Sequence, residues 1–310
     1  MTESTSAALA DLVRAIAPGD RLVRTWDFDG GLSSEMTGVE VETPSGGRQR
    51  LVLRRERSAD GPFATSRLAR EFRLLESLHR LGVAVPRPRT LDAEHRCAVL
   101  DFVEGAPLVS TNDPAGTARV FASVLATIHA LDAERPEFAQ LPRRGHVLDD
   151  LVVSAPEVLD ESLREGLVRE TVRRHWPPPS PARRALLHGD FWPGNVLWRD
   201  NRIVAVIDWE DAAVGDPLAD VATTRLDLRF AFGSEAMRAF TDHYLALTAV
   251  DITNLPVWDL VAALRPAGGI SAWAADWANF GRPDLTASGM RATHAEFLDA
   301  ALAALVTFDP

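Results

Sequence analysis

The stretch His188-Gly189-Asp190-Phe191-Trp192-Pro193-Gly194-Asn195, with Ile207-Asp208-Trp209-Glu210 a short turn later, decides the reading of this chain. It follows the apolar run Ala185-Leu186-Leu187 and precedes Val196-Leu197-Trp198, so it reads as a loop between two short strands. The turn Arg199-Asp200-Asn201-Arg202 and the run Ile203 to Ile207 then carry the chain to Asp208. Asp190, Asn195 and Asp208, all with oxygen-bearing side chains, therefore stand at the ends of strand-like segments.

That donor set suits phosphoryl transfer. Such a site makes few bonds itself; it aligns an acceptor hydroxyl with a phosphate and neutralises the charge that spreads over the phosphoryl oxygens. Asp190 is the group to accept or orient the hydroxyl proton, Asn195 to hold Mg²⁺ through its amide oxygen, and Asp208 to bridge Mg²⁺ to the β- and γ-phosphates. A lone His-Gly-Asp is more often a turn whose Asp caps nearby amides. Here Asn195, Asp208 and the following Gly215-Asp216-Pro217-Leu218-Ala219-Asp220 make chance agreement small. Gly189 and Gly194 are read as the residues that let the loop turn sharply.

Composition narrows the partners. A formal net charge of -11 argues against nucleic acid or an anionic membrane surface, since phosphate contacts need clustered Lys and Arg. Cys97 is the single cysteine, which excludes an intrachain disulfide. The sequence has no apolar run of about 18 residues, so no spanning helix is expected. The segment from Met1 to Ala17 lacks the charged start and apolar core of a signal peptide, so a cytoplasmic protein is expected.

Periodicity divides the chain. Leu9, Leu12, Val13 and Ile16 predict a short leading helix over 7–16. Leu22 to Phe28, Met36 to Thr43 and Arg50 to Arg54 predict an antiparallel three-strand meander, and Leu68, Phe72, Leu75, Leu78 and Leu81 a helix over 64–81. Leu91 and Cys97 to Val103 read as two further strands. Beyond Glu104-Gly105-Ala106-Pro107, a hinge-like break, helices are expected at 115–131, 147–175 and throughout 217–307. Pro177 to Pro181 is read as an extended connector. The expected organisation is an N-terminal unit over 1–103, a hinge over 104–108 and a helical unit over 109–310, an α+β chain.

On the His188 to Asn195 loop and the Asp208 to Asp220 segment, the chain resembles the aminoglycoside phosphotransferase and choline kinase-like family, a branch of the protein-kinase-like fold. The resemblance implies a two-lobed fold, with a small antiparallel N-lobe and a mostly helical C-lobe. It also implies transfer from ATP or GTP to a small hydroxylated substrate, with Asp190 as catalytic residue and Asn195 and Asp208 as metal ligands. His188, Asp216 and Asp220 then have supporting roles, and Asp216 before Pro217 is independently a good helix N-cap.

The N-terminal half should hold the nucleotide. Gly30-Gly31-Leu32-Ser33-Ser34 offers backbone amides and the Ser33 hydroxyl, although Gly-Gly between strands is commonly a plain hairpin turn. Leu51-Val52-Leu53-Arg54 occupies the place where kinases carry Val-Ala-Ile-Lys, so a planar Arg54 fork replaces a point charge. Glu71 is its expected partner, with Glu76 second, and Phe102 and Val103 form the hinge that reads the base. For the acceptor, Trp273 and Trp277 share a helical face near Trp258 and Phe280, and Glu210, Asp211 and Asp276 could attract an amine. Aromatics at that spacing are otherwise core. Two other classes stay open: a catalytically silent nucleotide-binding protein, suggested by Arg54, and a metal hydrolase using His188 and Asp190.

Overall fold

The computed structural model describes residues 13–14, 19–28, 34–56, 66–143, 151–179, 181 and 183–306. The expected leading helix lies outside these residues except for Val13 and Arg14, which are helical. The chain forms two compact units, Met1–Gly105 with Arg199–Glu210, and Ala106–Trp198 with Asp211–Pro310. Asp208 thus belongs to the first unit, and Asp190 and Asn195 to the second.

The first unit is built on strands β1 (Arg21–Asp27), β2 (Ser34–Glu42), β3 (Arg48–Glu56), β4 (Pro88–Asp92) and β5 (Cys97–Asp101). They form one antiparallel sheet in the order β1-β2-β3-β5-β4, of which the alternating pattern predicts the β1-β2-β3 meander. The β2–β3 turn closes because Thr43 and Gly47 exchange a backbone bond of 2.8 Å while Gly46 takes φ +81°, open to glycine. Alternate residues Val39, Val41, Leu51, Leu53, Cys97 and Val99 bury one face, joined by Val13. Arg54 and Val52, one residue out of step, point to the other face. On that sheet Trp26 pairs with Gly38, where a Cβ would stand 2.0 Å from the indole ring.

Helix α1 (Arg67–Arg80) starts where Ser66 accepts the Ala69 amide at 3.2 Å, and it ends before Gly82 at φ +80°. The Ser66 cap sets its first residue, one before Leu68 opens the apolar repeat, and residues 64 and 65 lie outside the described residues. Its inner face carries Leu68, Phe72, Leu75 and Leu78, and also Glu71. Strand β9 (Arg202–Val206) returns to this unit, where the Val206 amide donates to Ala84 O at 2.7 Å.

In the second unit, β6 (Ala106–Pro107) pairs with β8 (Val196–Arg199) through Ala106 and Trp198, and β7 (Ala185–Leu187) pairs with β10 (Ala213–Gly215). Sequence periodicity reveals neither β6 nor β10, each only two or three residues long. Helix α2 (Pro114–His129) matches expectation. The stretch 147–175 does not run as one helix. Residues 151–153 are helical, the chain is irregular from 154 to 160 around Pro156, and a short 3₁₀ turn Glu161–Leu163 leads to α3 (Glu165–His175).

The C-terminal third is helical, as predicted: α4 (Pro217–Leu247), α5 (Leu255–Ala263), α6 (Ile270–Asn279) and α7 (Ala287–Val306). Helix α4 breaks at Gly233, whose φ of +86° is non-helical. Leu226, Phe230, Met237, Ile270, Trp277 and Phe297 form the core among these helices. Among the described residues no helix is long and apolar enough to cross a membrane.

The close approach of Trp26 to Gly38 predicts that Gly38→Ala displaces the indole and lowers stability by about 2 kcal/mol in urea unfolding. An unchanged midpoint would show that the sheet yields there without cost.

Candidate active site

The loop from His188 to Asn195 is fixed at its base by one buried carboxylate. Asp220, in the first turn of α4, accepts the amides of His188 at 2.7 Å and Gly189 at 2.9 Å. His129 Nε2 lies 3.2 Å from the same carboxylate, and its Nδ1 is 2.7 Å from the Tyr244 hydroxyl. Burial works against the charge of Asp220, yet the hydrogen bond and charge of His129 and the amide and ring of His188 hold its pKa below the ordinary value. Asp216 caps α4 through the Leu218 amide at 2.9 Å and accepts Trp258 Nε1 at 3.0 Å. Both aspartates thus hold backbone amides, Asp216 as the helix cap that the sequence predicts and Asp220 in the supporting place that the resemblance implies. Thr224 adds a third tie from α4, donating to Phe191 O at 2.8 Å.

Within the loop, His188 is fully buried and its Nδ1 accepts the Asp190 amide at 3.2 Å. Gly189 takes φ +88°, and a Cβ there would meet Asp211 O at 2.4 Å, so glycine is required. Gly194 has a different reason from the sharp turn expected. It sits in the 3₁₀ turn Pro193–Asn195, and a Cβ would fall 2.2 Å from the Trp192 ring. Close packing, not left-handed backbone, selects glycine there.

Asp190 and Asn195 are brought together. Asn195 Nδ2 donates to Asp190 O at 2.9 Å and to Asp190 Oδ2 at 3.1 Å, which turns the amide oxygen away from Asp190. Asp190 Oδ1 accepts Arg265 Nη2 at 2.5 Å, and Arg265 Nη1 donates to Asp227 Oδ2 at 2.7 Å. The Arg265 guanidinium also lies 5.3 Å from the Trp273 ring centre. Burial pushes the Asp227 carboxyl up to about 6, with Arg265 opposing and Asp190 adding to the rise. Burial likewise works against the charge of Arg265, but Asp227 and Asp190 outweigh it and raise its pKa above the ordinary arginine value. Sequence reading missed this pair. Asp227 lies seven residues after Asp220 on the same helical face, which is the one available signal; nothing in sequence ties Arg265 to the loop.

In the first unit, Arg54 Nη1 donates to Glu71 Oε1 at 2.6 Å, and Arg54 Nη2 lies 3.6 Å from Asp208 Oδ1. Burial opposes the Arg54 charge, and Glu71 and Asp208 outweigh it, so its pKa is raised. Glu71 Oε1 also accepts the Trp209 amide at 3.2 Å, while its Oε2 is buried without a hydrogen-bond partner among the described residues. Asp208 stands at φ +64°, a left-handed conformation that Asp tolerates and that often marks functional positions. Glu76 faces solvent. Phe102 stacks with Phe28 and meets Trp26 edge-on, its amide donates to Arg50 O at 3.0 Å, and the half-buried Val103 follows. Ser33 and the glycines beside it lie outside the described residues.

The acceptor candidates belong to different units. Glu210 lies in the first unit, 3.4 Å from Arg67. Trp277 is buried in the helical core against Trp192, Trp258 is buried too, and Trp273 is half-buried. Asn195 in the second unit and Asp208 in the first, the latter with a 42% exposed side chain, each carry a side-chain oxygen, the ligand type that Mg²⁺ favours. Among the described residues no cluster of three or more His, Cys, Asp or Glu is arranged to hold a metal ion.

Because Asp220 satisfies two amides and a histidine, Asp220→Asn presents an N–H to a donor. It is expected to cost about 2 kcal/mol or more in urea unfolding; a loss of a few tenths would mean that the loop does not depend on this carboxylate.

The model of the phosphotransferase enzyme family matches residues 28–264. Mouse acyl-CoA dehydrogenase family member 10 (Mus musculus) is 26% identical over 232 residues, covering 67% of this chain and 20% of the relative. The chain therefore spans about a fifth of that relative's length. Choline kinase LicA from Streptococcus pneumoniae shares the fold with a TM-score of 0.60 at 17% identity, over 98% of this chain and 100% of the other. The GDP complex of aminoglycoside 2'-phosphotransferase-IIIa does so with a TM-score of 0.60 at 19% identity, over 99% and 98%. With a model match across most of its length, the chain belongs to the phosphotransferase enzyme family, and it shares the kinase-like fold of these structures.

Proposed function

We propose that the chain transfers the γ-phosphoryl group of ATP or GTP to a hydroxyl of a small molecule. The observation that carries this reading is the Asp190 carboxylate. It sits on a loop pinned by Asp220, one oxygen is oriented by Asn195, and its side chain keeps 31% exposure where a substrate can reach it. Asp190 would accept the acceptor hydroxyl proton, or hold the hydroxyl in line with the γ-phosphorus, so that the hydroxyl displaces the nucleotide directly.

Asn195 and Asp208 would hold Mg²⁺, and the bound ion would neutralise charge on the phosphate oxygens. Arg54, fixed by Glu71, would grip the phosphates as a two-pronged donor in place of the usual lysine. The Glu71 bond to the Trp209 amide places Asp208 next in sequence to a fixed point, so the phosphate grip and the metal ligand share one anchor. Ser33 and the backbone at Phe102 and Val103 complete the proposed nucleotide site. Glu210 and Trp273 are the proposed acceptor contacts; Trp277 supports the latter's helix from the core. Support comes from the family membership and from the shared fold of a choline kinase and of a GDP-bound aminoglycoside phosphotransferase.

The test is a screen of aminoglycosides, macrolides, amino alcohols, sugars and hydroxylated amino acids for stimulated ADP or GDP release with Mg²⁺, using Asp190→Asn as the blank. EDTA should abolish the release. Asp190→Ala should lower turnover by about 10²-fold or more while nucleotide binding persists. Asp208→Ala should remove Mg²⁺-dependent nucleotide binding in calorimetry. A fully active Asp190→Ala would sink the reading. Nucleotide binding with no transfer to any acceptor would mark a silent member of the family.

A further inference from the structure

Arg265 is built as a brace. It follows helix α5 and reaches three groups of the second unit: Asp227 on α4, the Trp273 ring on α6, and the Asp190 carboxylate on the loop. Its side chain is 15% exposed and that of Asp227 only 6%. A cation enclosed in this way cannot swing freely. Asp227 needs it, because the guanidinium offsets the cost of burying a carboxylate beside a second one.

The consequence falls on Asp190. A carboxylate on a loop can rotate about its side-chain bonds, and Asn195 restrains only one of its oxygens. We propose that Arg265, anchored by Asp227, is a positioning residue that fixes the second oxygen of Asp190 and so sets the direction from which the acceptor hydroxyl is engaged. This inference rests on the phosphoryl-transfer reading. The guanidinium suits the task because its two terminal nitrogens serve two carboxylates at once, a span that the single ammonium of lysine does not reproduce. Arg265 touches neither nucleotide nor acceptor in this scheme. It acts through Asp190.

Arg265→Lys separates this role from a merely structural one, since it keeps the positive charge beside Asp227 and loses the fork. Arg265→Gln combined with Asp227→Asn, which removes both buried charges together, serves if the lysine variant does not fold. With the first acceptor found in the screen, kcat should fall by about 100-fold, as expected for a misplaced catalytic group, while the KM for nucleotide stays unchanged. A stability cycle in urea on Asp190→Asn, Arg265→Lys and the double variant should give less than the sum of the two single shifts. Additive shifts, or an Arg265→Lys enzyme with wild-type kcat, would overturn the proposal. A wild-type chain that transfers to no acceptor would overturn the functional reading and with it this role for Arg265. An additive cycle beside an active wild type would overturn the proposal alone.

Discussion

The carboxylate of Asp220 holds two successive loop amides, and the geometry of the loop follows from that constraint. Burying a charge is costly unless each lone pair is used. Here the amides of His188 and Gly189 and the ring of His129 use them, and His129 is itself tied to Tyr244. The loop therefore leaves β7 in one direction, Gly189 takes the left-handed turn that this direction requires, and Asp190 follows with its amide bonded to His188. A rigid base of this kind lets a short polar loop carry chemistry without a large core of its own.

Charges elsewhere follow the same economy. Two arginines, the buried Arg54 in the first unit and the half-buried Arg265 in the second, are each shared between two acids: Arg54 between Glu71 and Asp208, Arg265 between Asp227 and Asp190. In each pair of acids one is buried, Glu71 or Asp227, and the other is a residue to which catalysis is assigned. The buried acid holds the arginine in place by a bond of 2.6 Å in one pair and 2.7 Å in the other. Lysine would provide charge without the two-pronged fork.

Much of the fold was legible because its periods are strong. The alternation over β1, β2 and β3 and the apolar repeat of α1 predict the sheet and its helix, and Asp216 before Pro217 marks the start of α4. Short pairings such as β10 with β7 leave no periodic trace, and Pro156 interrupted a helical stretch whose apolar pattern ran on. In the site, Asp190 and Asn195 could be paired from their spacing, and Arg54 with Glu71 from the order of strand and helix. Arg265 could not, because its contact with Asp190 spans 75 residues and depends on how α4, α5 and α6 pack. Trp277 shows the opposite limit: helical spacing put it beside Trp273, but only packing reveals that it is core.

In the proposed reaction the acceptor hydroxyl, held at Asp190, displaces the nucleotide directly at the γ-phosphorus. Transfer from ATP made chiral at that phosphorus by oxygen isotopes tests it most directly, read by ³¹P NMR on the phosphorylated acceptor. A single in-line displacement gives inversion of configuration. Retention would mean two displacements through a phosphorylated side chain and would contradict the account.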